Sequence, residues 1–473
     1  MLLHSRHIRP AASAPPQDQR LGFVLAAASL SMFVVNLDFF ALNLSIPAMA
    51  EELDVSATEM QWVISGYMLS LAAFLIPGGR LGDILGRRRM LIVGIAIFGG
   101  ASAAGGAAPS AEVLIGFRIV QGVGAAILFP LCIAVVTNAF PEQQRKRAIG
   151  NLYGLAAVAT AVGPFFGGFV TDALGWRWVL WINVPIAAAA ILLALVAVRE
   201  SRDESVPRQI DLRGLAAITL GIAAVTYAVD RASDWGLISP DTLALLAAGL
   251  ALLAVFVAIE RRVRWPLIDL SLFRNRPYVV VTLSGTVANV SFVVATFGST
   301  LYLQQVEGYS AAEAGLIFLA ASVAVAFAGP LSGRLGERFD IPRLMAAGIV
   351  AGALGLAVLG SGAPLGLYLA GLPVFGFGYG LGWSLSSVGT QTVVPTEKAG
   401  AASGVTLAIV IGVGGLCVAL AATLIKSITA GGTGEGPAIE EILLVLAAWS
   451  AACGLGFAAL SLLRSPRRAA ESA

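Results

Sequence analysis

The sequence predicts an all-α polytopic membrane protein, and three observations lead there. Its 473 residues are 58% hydrophobic and only 12% charged, about half the charge density of a soluble domain, and the mean hydropathy is +0.85. The apolar residues gather in runs of about 20, the length that crosses a hydrocarbon core as a helix. Within those runs the apolar residues are continuous instead of alternating, which excludes a membrane β-barrel. Lipid offers no hydrogen-bond partner, so each run must satisfy its own backbone, and only a helix does that.

Taken in order, the runs fall at 21–47, 58–78, 89–107, 111–138, 148–172, 178–198, 212–230, 241–260, 277–304, 311–331, 344–360, 364–390, 399–425 and 441–463, fourteen spans in all. Residues 1–20, rich in Pro, Ala and Arg, read as a disordered tail, and 464–473 as a C-terminal tail. The first run is too long for a cleavable signal, and no small-residue cleavage site follows it. An even count puts both ends on one side. Segments on that side hold 26 of the 30 Lys and Arg residues, against Arg177, Arg231 and Lys426 opposite, with Arg118 inside a span. The positive-inside rule makes the basic side, and hence both termini, cytoplasmic. Miscounting one helix would have spread the charges over both sides, so the bias also tests the count.

A weak repeat divides the chain further. Gly79-Arg80-Leu81-Gly82-Asp83 through Arg87 recurs as Gly333-Arg334-Leu335-Gly336-Glu337, in the loops after spans 2 and 10. A plain six-helix repeat would put the second copy after span 8. The chain therefore parses as a six-helix bundle (21–198), an inserted helix pair with its flanking loops (199–276) and a second six-helix bundle (277–463). Parallel halves about a central cavity are a transporter architecture, with substrate bound near the midplane between them.

Other classes find little support. The net charge is +2, with no basic stripe carrying interleaved aromatics, so no nucleic-acid partner is expected. His4 and His7 are the only histidines and both lie in the N-terminal tail, which removes histidine catalysis and histidine-held metal from the membrane. Paired carboxylates and a Gly-x-x-x-x-Gly-Lys loop are also missing, so neither an enzyme nor an ATP-driven pump is expected, and no cofactor. Cys132, Cys417 and Cys453 all fall in apolar runs and read as packing residues.

One acid and one base stand apart. Asp38 is the only acidic residue placed well inside the hydrocarbon region, and Arg118 the only basic one within a span. An ionised carboxylate at that depth costs a few kcal/mol or more, and removal from water favours the protonated form of a carboxyl group. Asp38 lies about nine residues inward from one end of its span and Arg118 about seven, so at 1.5 Å per residue both sit roughly 10–14 Å below the outer surface. Matching depth predicts an Asp38–Arg118 couple. It reads as the proton-coupling site, or alternatively as a static ion pair ordering the two helices.

Several motifs in order resemble the Major Facilitator Superfamily, and more narrowly its fourteen-helix drug:proton antiporter branch. They are Gly79 through Arg89 after span 2, Arg118-Ile-Val-Gln121-Gly122-Val-Gly124 in span 4, and Gly154 with Gly163-Pro164-Phe-Phe-Gly167-Gly168 in span 5. Asp38 with Asn43 and Pro47, Trp176-Arg177-Trp178, Ile182-Asn183-Val184-Pro185, and Tyr302-Leu303-Gln304-Gln305 with Gly308 complete the likeness. The chain departs from the family at Phe39-Phe40, where a Thr usually follows the Asp, and at Asp340-Ile-Pro in the second loop copy.

The resemblance implies proton-coupled export of amphipathic or cationic small molecules by alternating access, in a bacterial inner membrane, with a monomer sufficient. It implies that Gly79, Asp83 and Arg87, with Gly333, Arg334 and Glu337, latch the cytoplasmic side. It also implies a rocking hinge at Gly154, Gly163, Pro164, Gly167 and Gly168, where small residues allow close packing and proline bends the helix. Phe39, Asn43, Tyr67, Gln121, Asn289, Phe297, Gln304 and Trp383 are the polar or aromatic span residues expected to line a wide apolar cavity. A metabolite or sugar carrier of the same superfamily, and a non-transporting membrane sensor, remain as alternatives.

Overall fold

The computed structural model describes residues 21–202, 211–236, 238–264, 266–395 and 399–462. The two tails and the loop segment at 203–210, assigned above from sequence, lie outside the described residues. Every described element is helical. Twelve helices are each long and apolar enough to cross a membrane, and two bent pairs bring the total to fourteen spans.

The first six spans are α1 (Leu21–Ala41) continuing through a 3₁₀ turn into α2 (Ile46–Glu52), α3 (Ala57–Met60) with α4 (Trp62–Leu85), α5 (Arg87–Gly106), α6 (Ala111–Ala139), α7 (Glu142–Leu174), and α8 (Trp176–Trp181) with α9 (Asn183–Ala197). Then come α10 (Leu212–Trp235) and α11 (Pro240–Glu260). The last six are α12 (Arg276–Leu301), α13 (Ala311–Arg338), α14 (Ile341–Leu359), α15 (Leu365–Val393), α16 (Ala399–Ala430) and α17 (Glu435–Leu462). Local chemistry sets several boundaries. Ser56 and Ser310 each open a helix with a reciprocal capping box to Glu59 and Glu313, which satisfies two orphan backbone donors at once. Gly86 ends α4 and starts α5 at φ 115°, a conformation that side-chain-bearing residues avoid.

Both bends have proline behind them. The second span turns by 47° between Leu75 and Pro77, and α7 by 41° between Thr160 and Val162. Pro164 has no N–H to return to the carbonyl of Thr160 and its ring crowds that carbonyl, which is where α7 breaks.

The first and last six spans repeat one neighbour pattern. In each set the second span packs on the fourth, the third on the fourth, and the third on the sixth. Between the sets, α4 packs on α16 and α7 on α13, so the second span of each set meets the fifth of the other. That is the contact pattern of a pseudo-twofold axis. The pair α10–α11 packs on itself, along α16, and more lightly on α4.

The two sets do not meet over their full depth. We call the side on which α1 begins the near face and the opposite side the far face. The largest apolar core joins the first six spans to residues of the last six at mid-depth, such as Val287, Ile349 and Ile411, and toward the far face, such as Phe297, Leu301, Ala314, Phe318, Phe375 and Val418. Toward the near face the last six form cores of their own, one around Val281, Met345 and Leu385, another joining Ala217 and Phe256 of the pair to Tyr278 and Val405. A Cβ added at Gly150 or Gly154 of α7, Gly333 of α13 or Gly404 of α16 would meet nothing within 4 Å. The molecule is closed at the far face and parted at the near face.

Candidate functional site

Asp38 and Arg118 meet inside the first six spans. Each is 1% exposed, and Arg118 Nη1 donates to Asp38 Oδ2 at 2.5 Å. Around them the neighbouring spans supply polar groups. Asn183, the first residue of α9, donates from Nδ2 to Asp38 Oδ1 at 2.6 Å and to Ser102 Oγ at 3.0 Å. Ser102 in turn donates to the Leu180 carbonyl at 2.8 Å. Arg118 Nη1 also reaches Gln121 Oε1 at 2.7 Å, and its Nε reaches the Val63 carbonyl at 3.0 Å. The guanidinium lies 4.2 Å from the centroid of the Tyr67 ring, a desolvated cation–π contact of about 2 kcal/mol. One pair thus ties together α1, α4, α5, α6 and α9.

Arg118 Nη2, Gln121 Nε2, Asn183 Oδ1 and Tyr67 Oη are buried with no protein hydrogen-bond partner.

Beside the pair lies an apolar cavity of about 60 Å³ between the two sets of spans. Phe39, Tyr67, Asn289 and Trp383 line it, joined by Asn36, Phe40, Phe129, Thr160, Phe292 and Tyr379. Phe39 and Tyr67 stack at 6.0 Å. Since Phe39 follows Asp38 in the chain and Tyr67 covers Arg118, these two rings form the wall between cavity and ion pair.

Four residues expected on the cavity wall are elsewhere. Gln121 is turned into the ion-pair network. Asn43 folds its amide back onto the Phe39 carbonyl, Phe297 is fully buried in the core toward the far face, and Gln304 donates to the Leu44 carbonyl at 3.0 Å. The last is a contact between the two sets at the far face, so Gln304 helps close it.

The glycine motif of α7 divides at the bend. Gly154 faces open space, whereas a Cβ at Gly163 would stand 2.7 Å from the Phe40 Cβ. At Gly167 and Gly168 it would run into the backbone carbonyls of Ala41 and Ala311. Gly168 therefore lets α7 touch α13 backbone to backbone at the far face, and Ala312 N donates to Asp172 Oδ2 beside it at 2.9 Å. Both motif copies, expected in loops, are helical: Gly79 and Asp83 lie in the last turns of α4, and Gly333, Arg334 and Glu337 in the last turns of α13. Asp83 pairs with Arg87, the first residue of α5, at 2.7 Å, and Gly79 packs on Pro130. Glu200, after α9, accepts from the Arg88 and Arg89 backbone. This junction is fastened within the first six spans, while Gly333 and Arg334 of the second copy are exposed.

Sequence reading missed Asn183 and Ser102 as members of the site. Asn183 carried a signal, since an amide within an apolar run needs a partner. Ser102, among alanines and glycines, carried none.

Comparison with known proteins places the geometry in context. The sequence profile of the Major Facilitator Superfamily matches residues 28–419. The multidrug resistance protein Stp of Mycobacterium tuberculosis is 36% identical over 80% of this chain and 71% of its own length. The tetracenomycin C resistance and export protein of Streptomyces glaucescens is 32% identical over 80% and 71%. The multidrug efflux pump LfrA of Mycolicibacterium smegmatis is 32% identical over 82% and 77%. Among solved structures, the POT family transporter PepTSo superposes with a TM-score of 0.68 at 16% identity, over 94% of this chain and 98% of that one.

Proposed function

We propose how this chain, which belongs to the Major Facilitator Superfamily, carries out drug efflux across the membrane it spans many times: Asp38 exchanges a proton for the exported compound. The carrying observation is the buried Asp38–Arg118 pair set behind the Phe39–Tyr67 wall of the cavity. The mechanism needs two alternating states. With the near face parted, as here, Asp38 is ionised and held by Arg118 and Asn183, and a compound enters the cavity against Phe39, Tyr67 and Trp383. Rocking about the bent α7 then closes the near face and opens the far one. A proton from the far side neutralises Asp38, the link to Arg118 weakens, and the shifted wall releases the compound.

The supporting parse is two six-helix bundles, 21–198 and 277–463, rocking about the cavity, with 199–276 as a docked pair. The near face is read as cytoplasmic from the charge bias, and the membrane as the bacterial inner membrane. Closure at the near face is assigned to Gly79, Asp83 and Arg87 with Gly333, Arg334 and Glu337. The apolar, aromatic wall, poor in fixed charge, suits amphipathic or cationic compounds. At about 60 Å³ the cavity holds a few waters, so binding a drug requires it to widen from this state.

Inverted membrane vesicles with a preset pH gradient test the exchange. Adding a transported compound should dissipate the gradient in proportion to its uptake. Uptake with no proton movement would reject antiport, and movement of both in the same direction would assign a symporter.

A further inference from the structure

A second, larger cavity lies away from this site. It has a volume of about 440 Å³, within the roughly 300–1,000 Å³ of small-molecule sites. Its walls come from three bodies: α3, α4 and α6 of the first six spans, α16 of the last six, and α10 of the inserted pair. All of them contribute their far-face ends. α10 packs on α4 and α16, and the cavity is a lateral groove lined by α6 and α10, with Trp62, Ala422 and Thr423 also on its walls. Its deep side is apolar, with Ile115 and Ile119, and Ile119 and Val120 are 42% and 47% exposed at a depth where the surroundings are lipid. Its rim carries both signs of charge, Arg231 and Lys426 against Glu59 and Glu112. Arg231 and Lys426 are two of the three basic residues on the far side of the whole sequence, and both belong to this rim.

We propose that this groove binds one zwitterionic phospholipid of the far leaflet, its phosphate on Arg231 and Lys426 and its ammonium facing Glu59 and Glu112. Mixed charge matches a headgroup bearing both signs, and the lateral apolar opening lets the chains lie along Ile119 and Val120 in the bilayer. The volume takes a headgroup with its glycerol, not whole chains. The groove spans the boundary between the moving bodies, with α16 and the pair on one side, tied by Thr423 Oγ1 to the Val229 carbonyl at 3.2 Å, and α4 and α6 on the other. Opening the far face pulls these walls apart. A lipid that needs both walls therefore favours the near-open state, and by linkage that state binds it more tightly. This second step rests on the alternating-access reading above; the binding itself does not.

Native mass spectrometry of the purified full chain, titrated with phosphatidylethanolamine, phosphatidylglycerol or chain-free phosphoethanolamine, tests the binding. One retained phosphatidylethanolamine is expected, with at least tenfold weaker phosphatidylglycerol and no phosphoethanolamine. Arg231→Gln/Lys426→Gln should lose retention at least tenfold, and Ile119→Trp, which fills the groove without touching a charge, should also displace the lipid. Equal retention in wild type and both variants would overturn the site, and capture of chain-free phosphoethanolamine would reassign it to a soluble zwitterion. Retention of an exported compound there in place of lipid would likewise reject the lipid assignment. The coupled step is read separately, as alkylation of Gly150→Cys at the near face in nanodiscs. Faster labelling in phosphatidylethanolamine than in phosphatidylglycerol is expected, and equal rates would refute the conformational preference while leaving the lipid count standing.

Discussion

Replacing Asn183 by Leu removes one hydrogen bond from the Asp38 carboxylate and changes little else in volume. The lost bond runs from Nδ2 to Asp38 Oδ1 at 2.6 Å, beside the bond from Arg118 to the other carboxylate oxygen. Hydrogen bonds to charged groups contribute about 1.5–3 kcal/mol, roughly a 10- to 150-fold change in an equilibrium between two arrangements of the network. Compound-driven proton flux in reconstituted vesicles should fall by about that range. Ser102→Ala keeps the Asn183 donor and removes its second partner, and should lower the flux by less. Parental flux in folded Asn183→Leu would refute the placement of Asn183 in the coupling network. Loss of folded protein with parental flux per folded molecule would leave Asn183 a purely structural member.

Three further outcomes follow from the geometry. Gly168→Val forces a side chain into the Ala311 backbone; overpacking costs about 1–3 kcal/mol, a shift of roughly 5- to 150-fold between states. Far-side labelling should rise and efflux fall, whereas Gly154→Val, which meets open space, should do neither through packing. Asp83→Ala removes the partner of Arg87, and engineered cysteines across the two near-face loops should crosslink less than in the parent; equal yields would assign the loop to topology alone. Trp383→Ala opens the cavity wall and should change the ranking of exported compounds in a growth panel while leaving the pH profile in place.

The sequence carried the span count, because length and apolarity are linear properties, and it carried the depth of Asp38 and Arg118, because residues rise by a fixed 1.5 Å in a helix. It also carried the bend of α7, since Pro164 must leave a carbonyl unbonded; the bend before Pro77 was not read from it. What it did not carry was rotation. A helix that is apolar toward lipid and apolar toward its neighbours shows no moment from which to read a facing side. Gln121, Asn43, Phe297 and Gln304 are polar or aromatic residues within spans, and nothing linear says which way they turn. Gln304 faces α1's extension across the far closure, 260 positions away, and only tertiary packing sets that. Glycines show the same limit: Gly154 and Gly168 sit in one motif, yet one meets empty space and the other a backbone carbonyl.

The central claim is that Asp38 carries the exchanged proton. Asp38→Asn keeps an oxygen for Arg118 and an amide of nearly equal size, so folded protein should reach the membrane and still bind exported compounds. Proton flux driven by a compound gradient in reconstituted vesicles should then be abolished. Normal pH-driven efflux in that variant would contradict the account, and would leave the Asp38–Arg118 pair as scaffolding.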